Sequence, residues 1–366
     1  MDTKRLYVDF HVLQTVPPSC VNRDDTGSPK TAVYGGAVRA RVSSQAWKHA
    51  MRVMFTGEMS GEVEIGKRTL RAIDLVADEL AELLPGQDRK KLEKMSQDAL
   101  KRAGITFKKS DKKDGEKSDN TSALLLIGKA QATALAKLAA ENCKDDSAYE
   151  DALNENPTVD MVLFGRMVAS APSLNYDAAA QVAHSISTHT MQNEFDYFTA
   201  VDDCAPEDNA GAGHLGTVEY NSATLYRYAT VNVLELVRTL GAEQAAQTVR
   251  AFGEAFIRSM PTGKQNSFAN RTLPDAVYVT LRQDQPVNLC GAFEKPVRKS
   301  EEGYAEPSKM ALKQYAKELY NTFAEAPEQS FTVGTGLEEL AQPMPLNTML
   351  AALEKAVEEK LSGNEV

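Results

Sequence analysis

Residues 34–52, YGGAVRARVSSQAWKHAMR, combine the residue types that bind phosphate groups. They include four Lys/Arg and a histidine but no acid, although the whole chain has a formal net charge of −10. Two glycines permit close backbone approach, and Ser43 or Ser44 can cap a helix whose free N–H groups and dipole favour an anion. The pattern predicts a phosphate-binding surface; a serine-capped surface helix is the alternative.

The candidate surface extends upstream into a long loop, residues 14–33, which contains several Pro, Asn, Asp and Gly residues. Its cations and amide could close over the same nucleic-acid strand and contact phosphate or sugar. The candidate residues share a polar or cationic side chain: Asn22, Arg23, Lys30, Arg39, Arg41, Ser43, Ser44, Gln45, Lys48 and Arg52.

The charge is distributed unevenly along the chain. Residues 22–52 carry six Lys/Arg against two acids, and residues 101–117 carry seven against three, so each segment has a balance of +4. The remaining residues therefore carry −18. The acidic total argues weakly against a nucleic-acid partner. However, screening acts over about 8 Å at 0.15 M salt, so a local basic surface can still bind.

Evidence for catalysis is thin. Asp202 and Asp203 could begin a two-carboxylate metal site of a nuclease, but no third ligand is placed beside them, and a turn role is favoured. Residues 61–67 have the spacing of a phosphate-binding loop, yet Arg68 replaces its hydroxyl residue. His184 and His189 are five apart, a spacing that favours packing. We expect no enzyme activity, metal or cofactor.

Composition sets the broad class. The 366 residues suffice for two or three structural units, and no apolar run is long enough to cross a membrane. The N-terminus lacks the apolar block of a signal peptide. Four distant cysteines predict reduced thiols and a cytoplasmic location.

The periodicity predicts an α+β fold. Strands are expected at 5–13, half-buried by alternation, and at 159–169, 226–236 and 275–283. Trp47, Met51 and Met54 should face the core from a helix that ends near Phe55. Further helices are expected within these ranges: 67–103, 121–143, 177–189, 242–260 and 346–361. Four strands and two packing helices suggest a ferredoxin-like sheet.

Several motifs, in order, resemble the CasC family, the repeated backbone subunit of Cascade, the type I-E CRISPR surveillance complex. The first is SCVNRDDTGSPKTAVYGGAVRARVSSQAWKHAMR, residues 19–52. The others follow it along the chain: LFGRMVAS (163–170), AHSISTHT (183–190), FDYFTAVDD (195–203), GHLGTVEYNSATLYRYATVN (213–232) and CGAFEKPV (290–297).

The resemblance implies a hand-shaped scaffold without nuclease activity. Its palm is a modified ferredoxin-like, RRM-like sheet, here residues 1–56, 157–196 and 223–366 with C-terminal helices. The helical fingers are inserted at 57–156, and a β-hairpin thumb occupies 197–222. Copies stack along the CRISPR RNA, hold its spacer by backbone contacts and present the bases to target DNA. The partners implied are thus CRISPR RNA, target DNA, further copies and other Cascade subunits, without a membrane.

The same resemblance assigns individual residues. Arg23, Lys30, Ser43, Gln45 and Lys48 match RNA-contact positions. Met167 matches a methionine that packs against a displaced base. The thumb positions, which contact the neighbouring subunit's RNA, are Tyr197, Phe198, His214 and Leu215. Tyr197 replaces an expected tryptophan and keeps an aromatic ring that can stack.

The lysine-rich stretch of residues 101–117 falls within the implied fingers. We hypothesise that its lysines guide the target DNA, with a solvated surface as the alternative. The candidates are Lys108, Lys109, Lys112 and Lys113.

Overall fold

The computed structural model describes residues 5–59, 61, 63–108, 120–200 and 214–363. The chain divides into two compact units. The first comprises residues 1–54 and 180–366 and contains the large sheet. The second comprises residues 55–179 and is mainly helical. Residues 57–156, the expected insertion, all belong to the second unit, which extends further to Ala179. The names palm, fingers and thumb stay predictions.

Strands and helices are numbered in chain order. The strands are β1 Tyr7–Ser19, β2 Thr31–Tyr34, β3 Ala37–Val42, β4 Lys67–Thr69, β5 Phe107–Lys108, β6 Asn120–Thr121, β7 Leu125–Ile127, β8 Ala180–Val182, β9 Ser185–Ser187, β10 Glu194–Ala200, β11 His214–Asn232, β12 Ala276–Arg282 and β13 Gln329–Gly334. The helices are α1 Ser44–Thr56, α2 Ala72–Leu83, α3 Arg89–Arg102, α4 Lys129–Ala140, α5 Asp146–Asn154, α6 Val159–Phe164, α7 Val233–Leu240, α8 Ala242–Arg258, α9 Gln265–Phe268, α10 Ala305–Thr322 and α11 Leu346–Ser362. Short 3₁₀ helices occupy Pro172–Leu174 and Leu289–Phe293.

The sheet of the first unit is antiparallel, with strand order β13-β12-β1-β11-β9-β3-β2, and β8 and β10 also pair with β11. Central β1 pairs on both sides, so that Phe10 lies opposite Ala229 of β11 and Val279 of β12. This sheet with its helices agrees with the predicted α+β class. The ferredoxin-like relationship stays a prediction.

Strand β1 is buried on both faces, so the prediction of a half-buried strand is wrong. Phe10 packs against Phe252 and Phe256 of α8, with ring centroids 5.5 and 6.2 Å apart. On the other face, Asp9 and His11 are also buried. Because the strand is central, its polar side chains must find partners inside. Asp9 accepts hydrogen bonds from the Tyr228 hydroxyl at 3.0 Å and the Val287 N–H at 2.8 Å.

The second unit has an apolar core formed by its helices. Helix α2 packs against α3 and α4, and α4 packs against α5. The fully buried side chains include Val76, Leu80, Leu100, Leu135 and Leu153. These residues recur at helical spacing within Ala- and Leu-rich segments, which is why the sequence predicted helices here.

Two predicted elements have the opposite type. The apolar run at 159–169 was expected to be a strand, but Val159–Phe164 is a buried helix that Gly165 ends with φ 80°. A short apolar run has no periodicity that separates the two types. Residues 177–189 were expected to be helical, but they form β8 and β9 because β11 offers backbone partners. Tertiary pairing therefore overrides the helix propensity of this alanine-rich segment.

The ends of other strands differ from the predicted ones. Strand β1 continues through Pro17 and Pro18 of the expected loop, and its pairing with β11 shifts register between Val16 and Ser19, where prolines are tolerated. Strand β11 ends at Asn232, whose side chain caps α7. In the described part of the chain, no helix has the length and apolar character needed to cross a bilayer.

Candidate nucleic-acid interface

Three segments of the first unit meet at the predicted phosphate-binding residues. Within the loop, the Lys30 N–H donates to the Asn22 carbonyl at 2.8 Å. The Asn22 side chain accepts from the Ser43 N–H at 2.9 Å, and the Arg41 N–H donates to the Lys30 carbonyl at 2.9 Å. These bonds join the loop 22–30, the β2–β3 hairpin and the start of α1 into one surface. We call it the basic surface; its cations are Arg23, Lys30, Arg41, Lys48 and Arg52.

The predicted helix and its cap are confirmed. The Ser43 hydroxyl accepts from the Ala46 N–H at 3.3 Å, and α1 begins at Ser44. Ser43 is buried, Gln45 is exposed, and Ser44 is half-buried. The hydroxyl of Ser43 is therefore already engaged as a cap, whereas the neighbouring Gln45 reaches solvent.

The opposite face of α1 anchors the basic surface, as predicted from the spacing. Trp47, Met51 and Met54 are buried. The Trp47 indole N–H donates to the Ser185 hydroxyl at 2.9 Å, and the buried Arg227 guanidinium lies 3.8 Å from the indole centroid. Lys48 and Arg52 are half-buried on the outer side of the helix.

Arg39 does not take the position expected of a phosphate contact. Its side chain is fully buried, and its guanidinium donates to the carbonyls of Ser187, Phe293 and Glu294 at 2.9, 2.8 and 3.2 Å. The alternation of β3 points Arg39 inward and Val38 outward. Arg41 lies two residues further along the same face of β3 but is less buried, and the sequence could not show that only Arg39 is covered.

Arg41 remains near the surface. Its Nε donates to the Thr31 carbonyl at 3.0 Å, and a terminal nitrogen donates to Nδ1 of His184 at 3.2 Å. Burial, with the charges of Arg41 and Lys30, lowers the pKa of His184. His184 therefore stays neutral near pH 7 and can accept the hydrogen bond from Arg41.

The two glycines form the tight turn of the β2–β3 hairpin, with φ values of 57° for Gly35 and 72° for Gly36. A Cβ on Gly35 would lie 1.6 Å from the Glu294 carbonyl oxygen. The backbone that this glycine allows to approach closely is therefore another segment of the same chain. Within this hairpin, Val33 of β2 and Val38 of β3 lie opposite each other and are exposed. This apolar pair was not among the predicted site residues, although strand alternation could have indicated it.

The acids of the loop have structural roles. Asp24 accepts from the Thr26 N–H at 2.9 Å, the Thr26 hydroxyl at 2.7 Å and the Ser28 N–H at 3.0 Å. These hydrogen bonds lower the pKa of Asp24, and the bond from the Thr26 hydroxyl contributes most. An open groove of about 560 Å³ separates this loop from Ala46, His49 and residues 261–263.

The predicted thumb residues lie on a two-stranded ribbon, the first half of β11 paired with β10. We call residues 194–200 and 214–220 the aromatic ribbon. The pairs Tyr197↔Thr217 and Thr199↔Leu215 place Tyr197 and Leu215 on one face, 63% and 57% exposed. On the other face, the Phe198 ring lies over Gly216, where a Cβ would be 2.4 Å from it.

All seven residues of β10 are exposed. Phe195 shares the face of Tyr197 and was missed, although its position two residues earlier in the strand indicates it. The backbone of His214 pairs with Ala200. Large apolar side chains exposed together on one ribbon are typical of surfaces that bind a partner.

Met167 belongs to the second unit and is 81% exposed. It follows Gly165, which turns the chain at the end of α6. It borders an open groove of about 430 Å³, whose lining also includes Arg68, Leu124 and Tyr176. An exposed thioether beside a groove can pack against a flat apolar group.

Other candidates have weaker support. Lys108 is exposed on β5, while Lys109, Lys112 and Lys113 lie outside the described residues, as do Asp202 and Asp203. Among the described residues, no three His, Cys, Asp or Glu side chains cluster as a metal site would require.

Residues 61–67 do not form a phosphate loop, because Lys67 begins strand β4 where such a loop requires a helix. The Gly66 N–H already donates to the Asp160 carboxylate at 2.8 Å, so this donor is engaged within the chain. His189 stacks on Tyr304 and accepts from the Thr224 N–H at 3.1 Å, consistent with a packing role.

Known protein families and solved structures include relatives of this chain. A family model described as CT1975-like protein matches residues 8–359. A chain of the structure named "CRISPR RNA-guided surveillance complex, pre-nicking" is 33% identical, with TM-score 0.79, covering 95% of this chain and 100% of that one. A chain of another, named "CRISPR RNA-guided surveillance complex", is 29% identical, with TM-score 0.62, covering 96% and 99%. The search of curated proteins found no match.

The chain therefore belongs to the CT1975-like protein family and is a CasC-like backbone subunit, which confirms the resemblance found in the sequence.

Proposed function

We propose that this chain is the repeated CRISPR-RNA-binding subunit of a cytoplasmic type I-E Cascade. Copies line up along the guide, hold its sugar-phosphate backbone on the basic surface and present its bases to target DNA. Other Cascade subunits complete the particle. The similarity to chains of CRISPR RNA-guided surveillance complexes supports this assignment. The observation that carries it is the hydrogen bond from the Ser43 N–H to the Asn22 side chain, which joins loop and helix into one cationic surface.

The chemistry of the basic surface suits binding to the sugar-phosphate backbone of RNA. Arg23 is exposed, and Lys30, Lys48 and Arg52 are half-buried, so their heads can reach phosphates. Gln45 adds a side-chain donor at a helix start, where the dipole favours an anion. Phosphate and sugar carry no sequence information, so such a surface can hold unrelated guides.

The aromatic ribbon supplies a second type of contact. Tyr197, Phe198 and Leu215 offer flat or apolar surfaces that stack on any base, and His214 belongs to the same strand. We assign Met167 a similar role against a displaced base. Contacts of this kind separate bases without reading them, which suits a guide of arbitrary sequence.

We further propose that the subunit is non-catalytic and uses no metal or cofactor. Lys108, with Lys109, Lys112 and Lys113, is proposed to guide the target DNA. The palm, fingers and thumb are assigned as the sequence resemblance implies.

The test is RNA binding by the double variant Arg23→Ala/Lys48→Ala. Affinity should fall about equally for two unrelated RNAs. The slope of log affinity against log salt should shrink by about 0.7 for each phosphate of single-stranded RNA that the variant no longer neutralises. The matched control, Arg238→Ala/Lys355→Ala, also removes one Arg and one Lys of the first unit, which pair with Glu235 and Glu359. It should bind RNA as the unchanged protein does.

Two outcomes would contradict the proposal. One is an unchanged affinity and salt slope in the double variant. The other is cleavage of the RNA with magnesium or manganese that Asp203→Ala abolishes, which would instead indicate a nuclease.

A further inference from the structure

Arg39 is a buried cation whose hydrogen-bond partners are main-chain carbonyls rather than a carboxylate. Its guanidinium is bonded to three of them, and it lies 5.7 Å from the Tyr34 ring centroid. Burial lowers its pKa, in keeping with a charge withdrawn from water. Burying a charge is unfavourable unless hydrogen bonds compensate, and here the carbonyls bind both terminal nitrogens of the guanidinium, while Nε has no partner among the described residues.

The three carbonyls come from two segments that are distant in sequence. Ser187 belongs to β9, Phe293 is the last residue of the 3₁₀ helix Leu289–Phe293, and Glu294 follows it. Arg39 itself belongs to β3, so one side chain joins the hairpin to both segments. The bonded residues are 148 and 254 positions away for Ser187 and Phe293.

Independent contacts reinforce the same junction. The Tyr34 hydroxyl donates to the Cys290 carbonyl at 3.4 Å, and the backbone of Gly35 lies against that of Glu294. The Ser187 hydroxyl accepts from the Ala40 N–H at 3.0 Å and donates to the His189 carbonyl at 2.6 Å. The hairpin is thus fixed at its turn and along β3.

We propose that Arg39 and Ser187 position the basic surface for RNA without touching RNA themselves. The inference rests on the proposed function. Arg41 and Ser43 lie two and four residues after Arg39, so the position of β3 determines where Arg41 points and where α1 begins. The role also accounts for the motifs AHSISTHT and CGAFEKPV, whose residues supply the carbonyls.

The geometry requires an arginine. A guanidinium has five N–H donors in a rigid fork, and here it reaches carbonyls of two segments at once. A lysine ammonium is a point charge at the end of a flexible stem and cannot reproduce that fork. Arg39→Lys therefore keeps the charge but removes the positioning.

The experiment compares Arg39→Lys and Arg39→Met in the full chain, at a temperature where circular dichroism shows folded protein. Both variants should bind RNA about tenfold more weakly, as expected when a charged hydrogen bond that fixes the site is removed. Amide exchange should accelerate in residues 31–42 and stay unchanged in β12. The control Arg282→Lys alters another buried arginine, paired with Asp284, and should retain RNA affinity even if the unfolding temperature falls.

Several results would overturn the proposal. Wild-type affinity in folded Arg39→Met is one. Another is a pattern in which Arg39→Lys keeps wild-type affinity and only Arg39→Met reduces the slope of log affinity against log salt. That pattern indicates direct contact between the side-chain charge and a phosphate. If neither variant folds, Ser187→Ala removes the hydroxyl bonds to the Ala40 N–H and the His189 carbonyl. This variant should bind RNA about threefold more weakly, a loss smaller than that of one typical hydrogen bond. Amide exchange in residues 31–42 should also become faster. Unchanged affinity and exchange would overturn the proposal.

The result separates this inference from the proposed function. If Arg23→Ala/Lys48→Ala binds RNA normally, the proposed function fails. If that variant binds weakly while the Arg39 variants bind normally, the positioning role alone is wrong.

Discussion

The basic surface and the aromatic ribbon extend from the same sheet but are held in different ways. Behind the basic surface lie buried side chains with hydrogen-bonded partners, such as Trp47 with Ser185 and Arg39 with three carbonyls. On the ribbon, by contrast, all residues of β10 are exposed, and its pairing with β11 positions it. The basic surface is therefore held from behind by buried side chains, whereas the ribbon depends on the pairing of its two strands.

This comparison leads to four predictions. The first three disturb the anchorage behind the basic surface, and the last alters the ribbon. If the comparison holds, stability should depend strongly on the anchorage and little on the ribbon.

The largest effect is expected for Trp47→Ala. It removes a buried indole that packs beneath α1 and is contacted by Arg227, so the free energy of unfolding should fall by about 3–5 kcal/mol. Urea denaturation followed by circular dichroism measures it. Val53→Ala changes an exposed residue of the same helix and should alter stability by less than about 0.5 kcal/mol. A decrease below about 1 kcal/mol in Trp47→Ala would show that α1 is not anchored by its inner face.

The second prediction concerns pH and Asp9. Burial raises the pKa of this carboxyl from 3.8 to about 6. The folded state therefore binds a proton more tightly than the unfolded state. The stability from this group is fully present below pH 3.8 and is lost as the pH rises through about 6. Because each pKa unit corresponds to about 1.4 kcal/mol, the decrease amounts to about 3 kcal/mol.

The variant Asp9→Asn isolates this effect. Asparagine stays neutral, so relative to the unchanged protein it should gain stability between about pH 4 and pH 7 in urea titrations. Parallel stability curves for the two proteins would contradict the raised pKa. The change also tests the anchorage, because Asp9 holds Val287, just before the segment that Arg39 binds.

The third prediction compares two adjacent glycines of one turn. Gly36→Ala should destabilise the protein by about 1 kcal/mol through its positive φ alone, since its Cβ would meet no atom within 4 Å. Gly35→Ala adds a clash with the Glu294 carbonyl and should cost about 2–4 kcal/mol. Thermal unfolding of both variants measures the difference. Equal destabilisation would mean that the hairpin is not held against residue 294.

The smallest effect on stability is expected on the ribbon. Tyr197→Ser/Leu215→Ser replaces exposed side chains, so the unfolding free energy should change by less than about 0.5 kcal/mol. Assembly on RNA should nevertheless weaken, because stacking contributes about 1–3 kcal/mol per base. Sedimentation of the protein with RNA measures assembly, with Thr217→Ser as control on the same face. If the variant assembles normally on RNA, the ribbon is not part of the proposed interface.

Local patterns predicted much of the structure near the basic surface. The cap at Ser43, the helix after it and the inward face at Trp47, Met51 and Met54 follow from residue type and spacing, which act within one turn. The strand at 275–283 and the final helix were predicted for the same reason. Long-range pairing decided the cases that failed, such as 177–189, because a sheet partner is not visible in local sequence.

The sequence by itself determined which residues could bind phosphate, since cations, helix starts and glycine turns are properties of short segments. Only the tertiary structure decided which of them are available. Arg39 and Arg41 are two residues apart and chemically identical, yet one is fully buried against three carbonyls and the other lies near the surface. The difference arises because β9 and residues 293–294 cover the inner side of β3 at Arg39, and these segments lie 148 and 254 positions away in the chain.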